Sequence, residues 1–489
     1  MIRTRIAPSP TWCLHLGTAR SALYNFLYAR KNNWKFVLRI EDTDYERSTE
    51  ENREDIKNWL RRLWLEWDEW PEKEGNMQSY NQSERQDIYN EYIQKLLDSG
   101  YAYYAWETPE ELDQLREEAK KQKKQFIYRK RSYTQEEIQK FREEWRNPVI
   151  RLQVPSRTIT FYDWVKKDVT FDMNEVSDFV IVKSDGVPTF YLANVIDDHL
   201  MGVTHILRWE DHIPNTPKQI LIYEALGWQP PEYIHLPMLL NSNKSKMSKR
   251  DSANEYVTIS KFKKEGFLPE ALVNFIALLG WHPSDDREWF SLDELIKNFS
   301  ADRINSSNAV YDFERALRFN SEYIKNLSDE DFVDKLRNYL QDFGDQEWQK
   351  ILETTSYEYF LKVAPYIKIR LQTLGQFRDY SKYFFVYYPP SDEVVCSQKM
   401  KVTSDIVNDV LPEVINFLED IDENNWTEEN LKQSLIDYIK NKWYKNWQVL
   451  WPIRAILTWV EASPGAFEML YILWKQESIR RLKEYQSSY

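Results

Sequence analysis

Apolar positions near the start of the chain follow two different spacings. Residues 2–6 alternate apolar or β-branched side chains with arginine, which predicts a short strand. From Thr18, which we expect to be the N-cap, apolar residues recur at helical spacing as far as Arg30. Residues 34–40 then predict a second strand. The resulting strand–helix–strand unit predicts a parallel sheet.

A parallel sheet of this kind binds its ligands at the carboxyl ends of its strands. Ser9 follows the first predicted strand, His15 precedes the helix, and Glu41 follows the second strand. We therefore expect these three side chains to converge on one site.

The remaining pattern divides the chain into a mixed part and a helical part. Residues 50–125 are mostly helical in pattern, and residues 147–182 contain four short apolar runs that predict the strands of an inserted block. Helical patterning resumes near Thr216 and dominates after residue 250. The expected fold is therefore α/β in its first half and all-helical in its C-terminal half.

Composition and charge fit a globular protein of several domains. A chain of 489 residues suggests about three or four domains, because single cores stop growing well below that length. The net charge of −13 speaks against a uniformly basic nucleic-acid surface, although a local basic patch is sufficient to contact phosphates. The chain shows neither a signal-peptide pattern nor a long apolar run, so we expect a cytoplasmic protein outside the membrane.

Cysteine usage argues against a disulfide framework and a cysteine-based metal site. Cys13 and Cys396 are the two cysteines of the chain, and they lie far apart in sequence. We therefore expect no zinc.

Two short motifs carry chemistry suited to a nucleoside triphosphate. His15-Leu16-Gly17-Thr18 lies between the first strand and the first helix, where backbone amides at a helix N-terminus attract phosphate. Residues 246–250, KMSKR, place three cations and a hydroxyl on a polar loop, where they can neutralise charge on a transferring phosphoryl group. Taken singly, the first motif has an ordinary turn histidine as its alternative, and the second a solvated basic loop.

Further motifs occur in order with these two. They are RTRIAPSPT at 3–11, LRIEDTD at 38–44, QSER at 82–85, SDGVPT at 184–189, NVIDDH at 194–199, NTPKQ at 215–219 and LLGW at 278–281. Nearly end to end, the chain resembles the bacterial-type glutamyl-tRNA synthetases, which are class I aminoacyl-tRNA synthetases.

The resemblance implies an architecture with four parts. Residues 1–96 and 187–240 would form a Rossmann-like class I catalytic domain, and residues 97–186 an inserted α/β domain that binds the tRNA acceptor stem. Residues 241–325 would form a stem-contact domain with the KMSKR loop. Residues 326–489 would form an all-helical region that binds the anticodon.

The resemblance also implies an ATP-dependent glutamate–tRNA ligase. ATP with Mg²⁺ would activate L-glutamate to glutamyl-adenylate, and the glutamyl group would then pass to the 3′ end of glutamate tRNA. Mg²⁺ would be bound largely through the phosphates. We expect the protein to act as a monomer.

Site residues follow from the resemblance, position by position. Those around the substrate glutamate are Arg5, Ala7, Ser9, Glu41, Phe190, Asn194 and Arg208. Those around ATP are His15, Gly17, Thr18, Asp211, Leu239, Lys246, Met247, Ser248, Lys249 and Arg250. The catalytic candidates are Lys249, His15 and Lys246, and Lys249 leads them. No protein nucleophile is required, because the substrate carboxylate itself attacks the α-phosphorus.

The chemistry of the glutamate residues agrees with these roles. An anionic side chain suits a guanidinium, so Arg5 or Arg208 would bind it, and an α-ammonium suits the carboxylate of Glu41. Phe190 stands where the family usually has tyrosine, and it lacks the hydroxyl that would contact the substrate. Residues 104–107, YAWE, replace the zinc-ligating cysteines of some relatives.

The tRNA-binding residues are predicted with less detail. Arg370 and Arg454 match family positions that contact anticodon bases, and Arg370 favours a form selective for glutamate tRNA over one that also charges glutamine tRNA. The basic stretch 120–131 lies in the part that handles the acceptor end in the family. A solvated helix face explains its lysines equally well.

Tryptophan replaces glycine at several family positions. These are Trp12, Trp64, Trp70, Trp209, Trp459 and Trp474. Trp12 and Trp209 would lie beside the pocket and narrow it, since an indole adds bulk where glycine allows close approach. With only 11 glycines in the chain, the replacements suggest a sequence rewritten to suit a fixed backbone.

Four alternatives to a glutamate-specific ligase follow from these observations. One is a catalytically silent scaffold of the same fold that still binds tRNA, which the tryptophans beside the pocket motivate. Another is a non-discriminating form that also charges glutamine tRNA. A third is the truncated relative that glutamylates a tRNA base, but it lacks the C-terminal half present here. The fourth is glutaminyl-tRNA synthetase, but its C-terminal part is β-rich, whereas the pattern here is helical.

Overall fold

The structure is a computed structural model of two units. It describes residues 2–11, 15–44, 47–70, 79–245, 258–460 and 462–488. The first unit comprises Met1–Phe262 and Pro269–Ala316, and the second comprises Lys263–Leu268 and Leu317–Tyr489. The finer division into four domains stays a prediction.

Strands are confined to the first unit within the described residues. They are β1 (Arg3–Ile6), β2 (Lys35–Leu38), β3 (Ala102–Ala105), β4 (Val149–Leu152), β5 (Thr158–Asp163), β6 (Lys167–Asp172), β7 (Phe179–Val182), β8 (His205–Trp209), β9 (Glu232–Leu236), β10 (Leu239–Leu240) and β11 (Ala309–Val310).

Helices occur in both units. The first ten are α1 (Leu16–Lys31), α2 (Glu50–Arg62), α3 (Gln86–Asp98), α4 (Pro109–Lys121), α5 (Gln135–Glu143), α6 (Phe190–Leu200), α7 (Thr216–Ala225), α8 (Ile259–Glu265), α9 (Pro269–Ala277) and α10 (Leu292–Asn298). The others are α11 (Phe313–Asn326), α12 (Asp329–Phe343), α13 (Gln346–Thr354), α14 (Tyr357–Ile367), α15 (Phe377–Phe385), α16 (Asp392–Val395), α17 (Ser404–Asp420), α18 (Glu428–Asn441), α19 (Asn446–Thr458) and α20 (Ala466–Ser487). None of the helices described is both long and apolar enough to cross a membrane.

The first strand–helix–strand unit confirms the predicted parallel pairing. Strands β1 and β2 are parallel, with Arg3 opposite Lys35 and Ile6 opposite Leu38. The expected N-cap was wrong, because the N-cap of α1 lies three positions before Thr18. His15 is the N-cap, and its Nδ1 accepts a hydrogen bond of 3.1 Å from the amide of Gly17.

The four strands predicted between residues 147 and 182 are confirmed, and they belong to two sheets. Strands β3, β4 and β7 form one antiparallel sheet. Strands β5 and β6 form an antiparallel hairpin that extends the parallel pair β8–β9, in the order β6-β5-β9-β8. The predicted insertion therefore adds strands to a sheet that also contains β8, the strand that ends beside the cavity described below.

The second unit confirms the prediction of a helical C-terminal half. In its described residues, every regular element is a helix. Its core is built from apolar side chains at helical spacing, as in α18, where Leu431, Leu435 and Ile439 are buried along one face.

The C-terminus of α18 places a tryptophan in an unfavourable backbone conformation. Trp443 has φ 59°, and the amide of Tyr444 bonds to the carbonyl of Ile439 at 3.0 Å, which is the Schellman arrangement. This position favours glycine, because a Cβ clashes in the left-handed region. The Trp443 side chain is 93% exposed, so its burial offsets little of that cost.

Replacing Trp443 with glycine is expected to stabilise the protein. Relief of the left-handed strain should raise the free energy of unfolding by about 1 kcal/mol. Urea unfolding would measure the gain. Trp443→Ala is the control, because alanine keeps the Cβ and should leave stability nearly unchanged. Equal stabilities of the glycine and alanine variants would contradict the assignment of strain.

Candidate active site

A cavity of about 200 Å³ lies at the carboxyl ends of β1 and β8. This volume suits a molecule the size of an amino acid rather than a larger organic ligand. The seven residues that the sequence places around glutamate all line it, namely Arg5, Ala7, Ser9, Glu41, Phe190, Asn194 and Arg208. Ser9 and Glu41 therefore converge as expected, whereas His15 is not among the residues that line this cavity. Their role in binding glutamate stays a prediction.

Arg5 is fixed by a buried carboxylate on α6. Its Nε and Nη2 donate to the two oxygens of Asp198 at 3.1 and 3.2 Å, a bidentate pair. Both side chains are almost completely buried. Arg5 thus lies in the cavity wall with its charge balanced by Asp198.

The carboxylate of Glu41 is held in the cavity wall by two donors. Arg39 donates to Glu41 Oε1 at 3.0 Å, and Asn194 Nδ2 donates to the same oxygen at 2.6 Å. The second arm of Arg39 donates to Asp198 at 2.6 Å. One buried guanidinium therefore connects the carboxylate that faces the cavity with the carboxylate that holds Arg5.

Burial opposes ionisation of Asp198, but its cationic neighbours outweigh that effect. Desolvation raises the pKa of Asp198, whereas the charges of Arg39 and Arg5 and their hydrogen bonds lower it, and the net shift is downward. The attraction of Asp198, Asp197 and Glu41 likewise raises the pKa of Arg39 in spite of its burial. Asp198 and Arg39 are therefore both ionised at neutral pH.

Arg208 differs from Arg5 because its hydrogen-bond partners are neutral. It donates to His235 Nε2 at 3.1 Å, to Gln219 Oε1 at 2.7 Å and to Thr216 Oγ1 at 2.8 Å. Burial lowers the pKa of Arg208 to about 10, so the guanidinium keeps its charge at pH 7. Two of its five N–H groups are not used in these bonds. Arg208 therefore offers the cavity a positive charge that none of its hydrogen-bonded partners neutralises.

His235 is held in the form that can accept from Arg208. Its Nδ1 lies 2.7 Å from a carboxylate oxygen of Asp163, and its pKa is lowered, chiefly by burial. The hydrogen-bond network thus assigns the proton to Nδ1 and leaves Nε2 as the acceptor.

His212 lines the cavity, although the sequence did not single it out. Burial and the charge of Arg208 lower its pKa to about 4, so it is neutral at pH 7. Its ring lies 5.5 Å from that of Phe190. His212 belongs to a 3₁₀ turn, Glu210–Asn215, whose irregular backbone gives no periodic signal that would have indicated its direction.

The described residues predicted to bind ATP occupy neighbouring positions at the start of α1 and beyond β8. His15 and Gly17 form the N-terminus of α1, Thr18 lines the cavity, Asp211 lies in the 3₁₀ turn after β8, and Leu239 is buried in β10. Lys246, Met247, Ser248, Lys249 and Arg250 lie outside the described residues, as does Trp12.

The indole of Trp209 occupies the space above Gly17. A Cβ placed on Gly17 would lie only 1.9 Å from Cζ2 of Trp209, so the ring is in direct contact with the backbone there. The guanidinium carbon of Arg20 lies 4.6 Å from the centroid of the same ring. The prediction that Trp209 narrows the pocket is thereby supported.

The two arginines predicted for the anticodon lie near one side chain in the second unit. Charge interactions with both Arg370 and Arg454 lower the pKa of Tyr383, although burial dominates and raises it to about 12. Arg370 is exposed at the end of a 3₁₀ turn, and the guanidinium of Arg454 lies 4.4 Å from the ring centroid of Trp451. Their role in binding the anticodon stays a prediction.

Residues 104–107, which replace the zinc ligands of some relatives, form hydrogen bonds with nearby tyrosines. Glu107 accepts hydrogen bonds from the hydroxyls of Tyr128 and Tyr133 at 2.6 and 2.8 Å. In the described part of the chain, no cluster of histidine, cysteine and acidic side chains is arranged to hold a metal ion. The expectation of no zinc stays a prediction.

Comparison with known proteins identifies both units. Residues 1–316 match the family model of the catalytic domain of class I tRNA synthetases for glutamate and glutamine, and residues 331–486 match that of an anticodon binding domain. The chain therefore belongs to the class I tRNA synthetases.

Similar proteins specify the family. The glutamate–tRNA ligase of Carboxydothermus hydrogenoformans is 38% identical and that of Bacillus subtilis 37%, each over 99% of both chains. A crystal structure of a glutamate tRNA ligase from Elizabethkingia meningosepticum, in complex with its amino acid, matches with a TM-score of 0.89 and 33% identity over 100% of this chain and 99% of that one. The chain is a member of the glutamate–tRNA ligase family, and the expected fold and enzyme class are confirmed.

Removing the charge of Asp198 is expected to destabilise the first unit. Asp198→Asn would leave Arg5 and Arg39 without their shared carboxylate, at a cost of about 3 kcal/mol in the free energy of unfolding at pH 7. Because the folded state lowers the pKa of Asp198, its contribution is present above the unfolded value near 3.8 and is lost as the pH falls below it.

Denaturant unfolding of both proteins between pH 7 and pH 3 would measure this dependence. The stability difference between the wild type and Asp198→Asn should shrink as the pH falls. Asp185→Asn, at an exposed position of the same unit, is the control and should change stability by less than about 0.5 kcal/mol. A difference that stays constant with pH would contradict the ionic role of Asp198.

Removing the indole of Trp209 is expected to tighten ATP binding. If the ring must leave the space above Gly17 before a nucleotide enters, Trp209→Gly should lower the Kd for ATP by about tenfold or more. Isothermal titration calorimetry would measure the Kd. Trp209→Phe retains an aromatic ring and should bind as weakly as the wild type. Equal affinities of the glycine variant and the wild type would show that Trp209 does not obstruct ATP.

Proposed function

We propose that the chain activates L-glutamate with ATP and Mg²⁺ to form glutamyl-adenylate and transfers the glutamyl group to the 3′ end of glutamate tRNA. The observation that carries the proposal is the cavity of about 200 Å³ lined by all seven residues predicted for glutamate. Membership of the glutamate–tRNA ligase family supports the same reaction.

Charge distribution supports one orientation of glutamate in the cavity. Arg208 carries a charge that its neutral partners leave uncompensated, so it is suited to the side-chain carboxylate. Glu41, held by Arg39 and Asn194, is suited to the α-ammonium. Arg5 then supplies further N–H donors, but its pairing with Asp198 reduces its share of the electrostatic attraction.

Selection against glutamine follows from this orientation. The amide of glutamine has no negative charge for Arg208, so it would leave a buried cation without a counter-ion. Phe190 adds an apolar wall and no hydroxyl. The discrimination is therefore electrostatic rather than steric.

The start of α1 is suited to the triphosphate. Backbone amides at a helix N-terminus and the positive end of the helix dipole attract phosphate oxygens. Gly17 adds no side chain there, and a nucleotide would have to displace the Trp209 indole that occupies the space above it. Mg²⁺ would reach the site with ATP, bound mainly by the phosphates. Lys246 and Lys249 would neutralise charge as pyrophosphate leaves, since the glutamate carboxylate is the nucleophile.

The helical second unit is proposed to bind the anticodon of glutamate tRNA. Arg370 and Arg454 both interact with Tyr383, and exposed guanidinium groups can stack on and hydrogen-bond to unpaired bases. The protein would act as a monomer, in the cytoplasm, where its tRNA substrate is used.

Charging of purified glutamate tRNA with labelled glutamate tests the reaction, with ATP and tRNA present throughout. Charging establishes the proposed function. A well-folded sample that binds tRNA but does not charge it would favour the silent scaffold, and equal charging of glutamine tRNA would favour the non-discriminating form.

Lys249→Ala is expected to impair activation selectively. Loss of a cation that stabilises the departing pyrophosphate should lower the rate of adenylate formation by roughly a hundredfold. The affinity for tRNA, measured by filter binding, should remain close to that of the wild type. Lys244→Ala, in the turn just before the motif, is the control. Parallel losses in adenylate formation and tRNA binding would contradict the role of Lys249.

Arg370→Lys is expected to weaken discrimination between glutamate and glutamine tRNAs. Lysine keeps the charge but loses the planar fork of donors, so the ratio of kcat/KM for the two tRNAs should fall by about tenfold. Arg378→Lys in α15 controls for a general effect of the substitution. An unchanged ratio would remove Arg370 from the set of anticodon-binding residues.

A further inference from the structure

Five tryptophans of this chain adopt a backbone conformation that favours glycine. They are Trp64, Trp145, Trp443, Trp459 and Trp474, with φ values of 55°, 54°, 59°, 49° and 58°. Side chains with a Cβ clash with the backbone in this region, and among the residues that do enter it asparagine and aspartate are enriched. Nothing in the chemistry of an indole favours it.

Three of the five occupy the same position after a helix. Trp64, Trp145 and Trp443 each stand two residues beyond the last residue of α2, α5 and α18, at the position where a Schellman motif has its left-handed residue. Glycine is the usual residue there. Trp145 and Trp443 gain little from burial, since they are 91% and 93% exposed, whereas Trp64 is 42% exposed.

Trp209 has an ordinary backbone conformation, but its side chain lies where only a glycine would leave space. Its φ of −65° is ordinary, but its indole lies directly against Gly17 at the start of α1. Trp209 therefore fills the space through which a ligand would approach these backbone amides.

Another set of tryptophans has the packing expected of this residue. Trp59, Trp281 and Trp426 are buried, and each indole N–H donates a hydrogen bond, to Asp55, to the carbonyl of Ser300 and to the carbonyl of Leu470 respectively. Trp348 is 2% exposed and packs edge-on against the rings of Phe377 and Phe385. These four tryptophans are therefore structurally distinct from the six described above.

The composition of the chain has an excess of tryptophan and a shortage of glycine. The chain has 20 tryptophans and 11 glycines in 489 residues, whereas average usage of glycine, near 7%, would give roughly thirty. A sequence rewritten to suit this backbone would carry glycine or asparagine at left-handed positions. The five left-handed tryptophans thus argue against a sequence rewritten to suit a fixed backbone. An explanation is needed for why tryptophan, rather than another residue, stands where glycine is favoured.

We propose that Trp64, Trp145, Trp209, Trp443, Trp459 and Trp474 are encoded by UGA and are glycine in the protein that the source cell makes. UGA is a stop codon in the standard genetic code, is read as tryptophan in some codes, and is read as glycine in others. The same codon can therefore specify tryptophan or glycine, depending on the genetic code. The tryptophan form is the product when the same gene is read with the other code.

The proposal has a consequence for the active site, which rests on the proposed function. Glycine at position 209 would clear the space above Gly17 and expose the N-terminus of α1 to a nucleotide. Glycine at the helix ends would restore ordinary Schellman caps. The same change therefore relieves backbone strain in both units and opens the nucleotide site in the first.

The codons of the gene test the proposal directly. We expect UGA at the six positions and UGG at the four control positions, Trp59, Trp281, Trp348 and Trp426. UGG at the six positions would overturn the proposal. This test is independent of enzymatic activity, so failure of the proposed function would leave its outcome unchanged.

Peptide mass spectrometry of the protein isolated from its own cells supplies the second measurement. Peptides that contain the six positions should have the mass of glycine, and peptides that contain the four control positions should have the mass of tryptophan. Tryptophan in the first set of peptides would overturn the proposal even if the codon is UGA.

Discussion

The first unit depends on two adjacent buried carboxylates of α6. Consecutive side chains on a helix point in different directions, so Asp198 faces Arg5 and Arg39, while Asp197 faces α3 and accepts from Arg85 at 2.7 Å and from the Tyr89 hydroxyl at 2.9 Å. Buried charges are costly unless each is paired and hydrogen-bonded. Because both carboxylates are fully buried, the two strands of the β1–β2 pair, α6 and α3 must be assembled together for the network to be complete.

The same network sets the charge of the cavity. Arg39 is not itself part of the cavity wall, yet it positions Glu41, which is, and it shares Asp198 with Arg5. Arg208 is held by neutral groups on α7 and β9, so none of its hydrogen-bonded partners neutralises its charge. An arginine paired with a carboxylate and an arginine bonded to neutral groups thus lie in one wall, and their hydrogen-bond partners distinguish them. The sequence analysis assigned both arginines to glutamate and could not make that distinction.

Local patterns predicted much of this arrangement, and long-range contacts account for what they missed. Ser9 and Glu41 converge because parallel strands end at one edge, which is a topological rule. His15 caps α1 in place of Thr18 because a ring nitrogen replaces the usual hydroxyl, and propensity ranks Thr18 higher. The β5–β6 hairpin joins the sheet of β9 through pairing between residues distant in sequence, Asp163 and Tyr233. No periodicity within either segment could have indicated that pairing.

Several tryptophans stand at backbone positions that favour glycine. At most positions of a folded chain, the residue type suits the backbone φ at which it stands. At the ends of α2, α5 and α18 residue type and φ disagree in the same way, with an identical hydrogen-bond pattern and an identical residue. Asn33 and Lys123 occupy the same left-handed position after α1 and α4, with the same pattern of hydrogen bonds, so such positions also accept residues other than tryptophan. A single cause that substitutes one residue for glycine explains the uniformity, and it explains equally why an indole fills the space above Gly17.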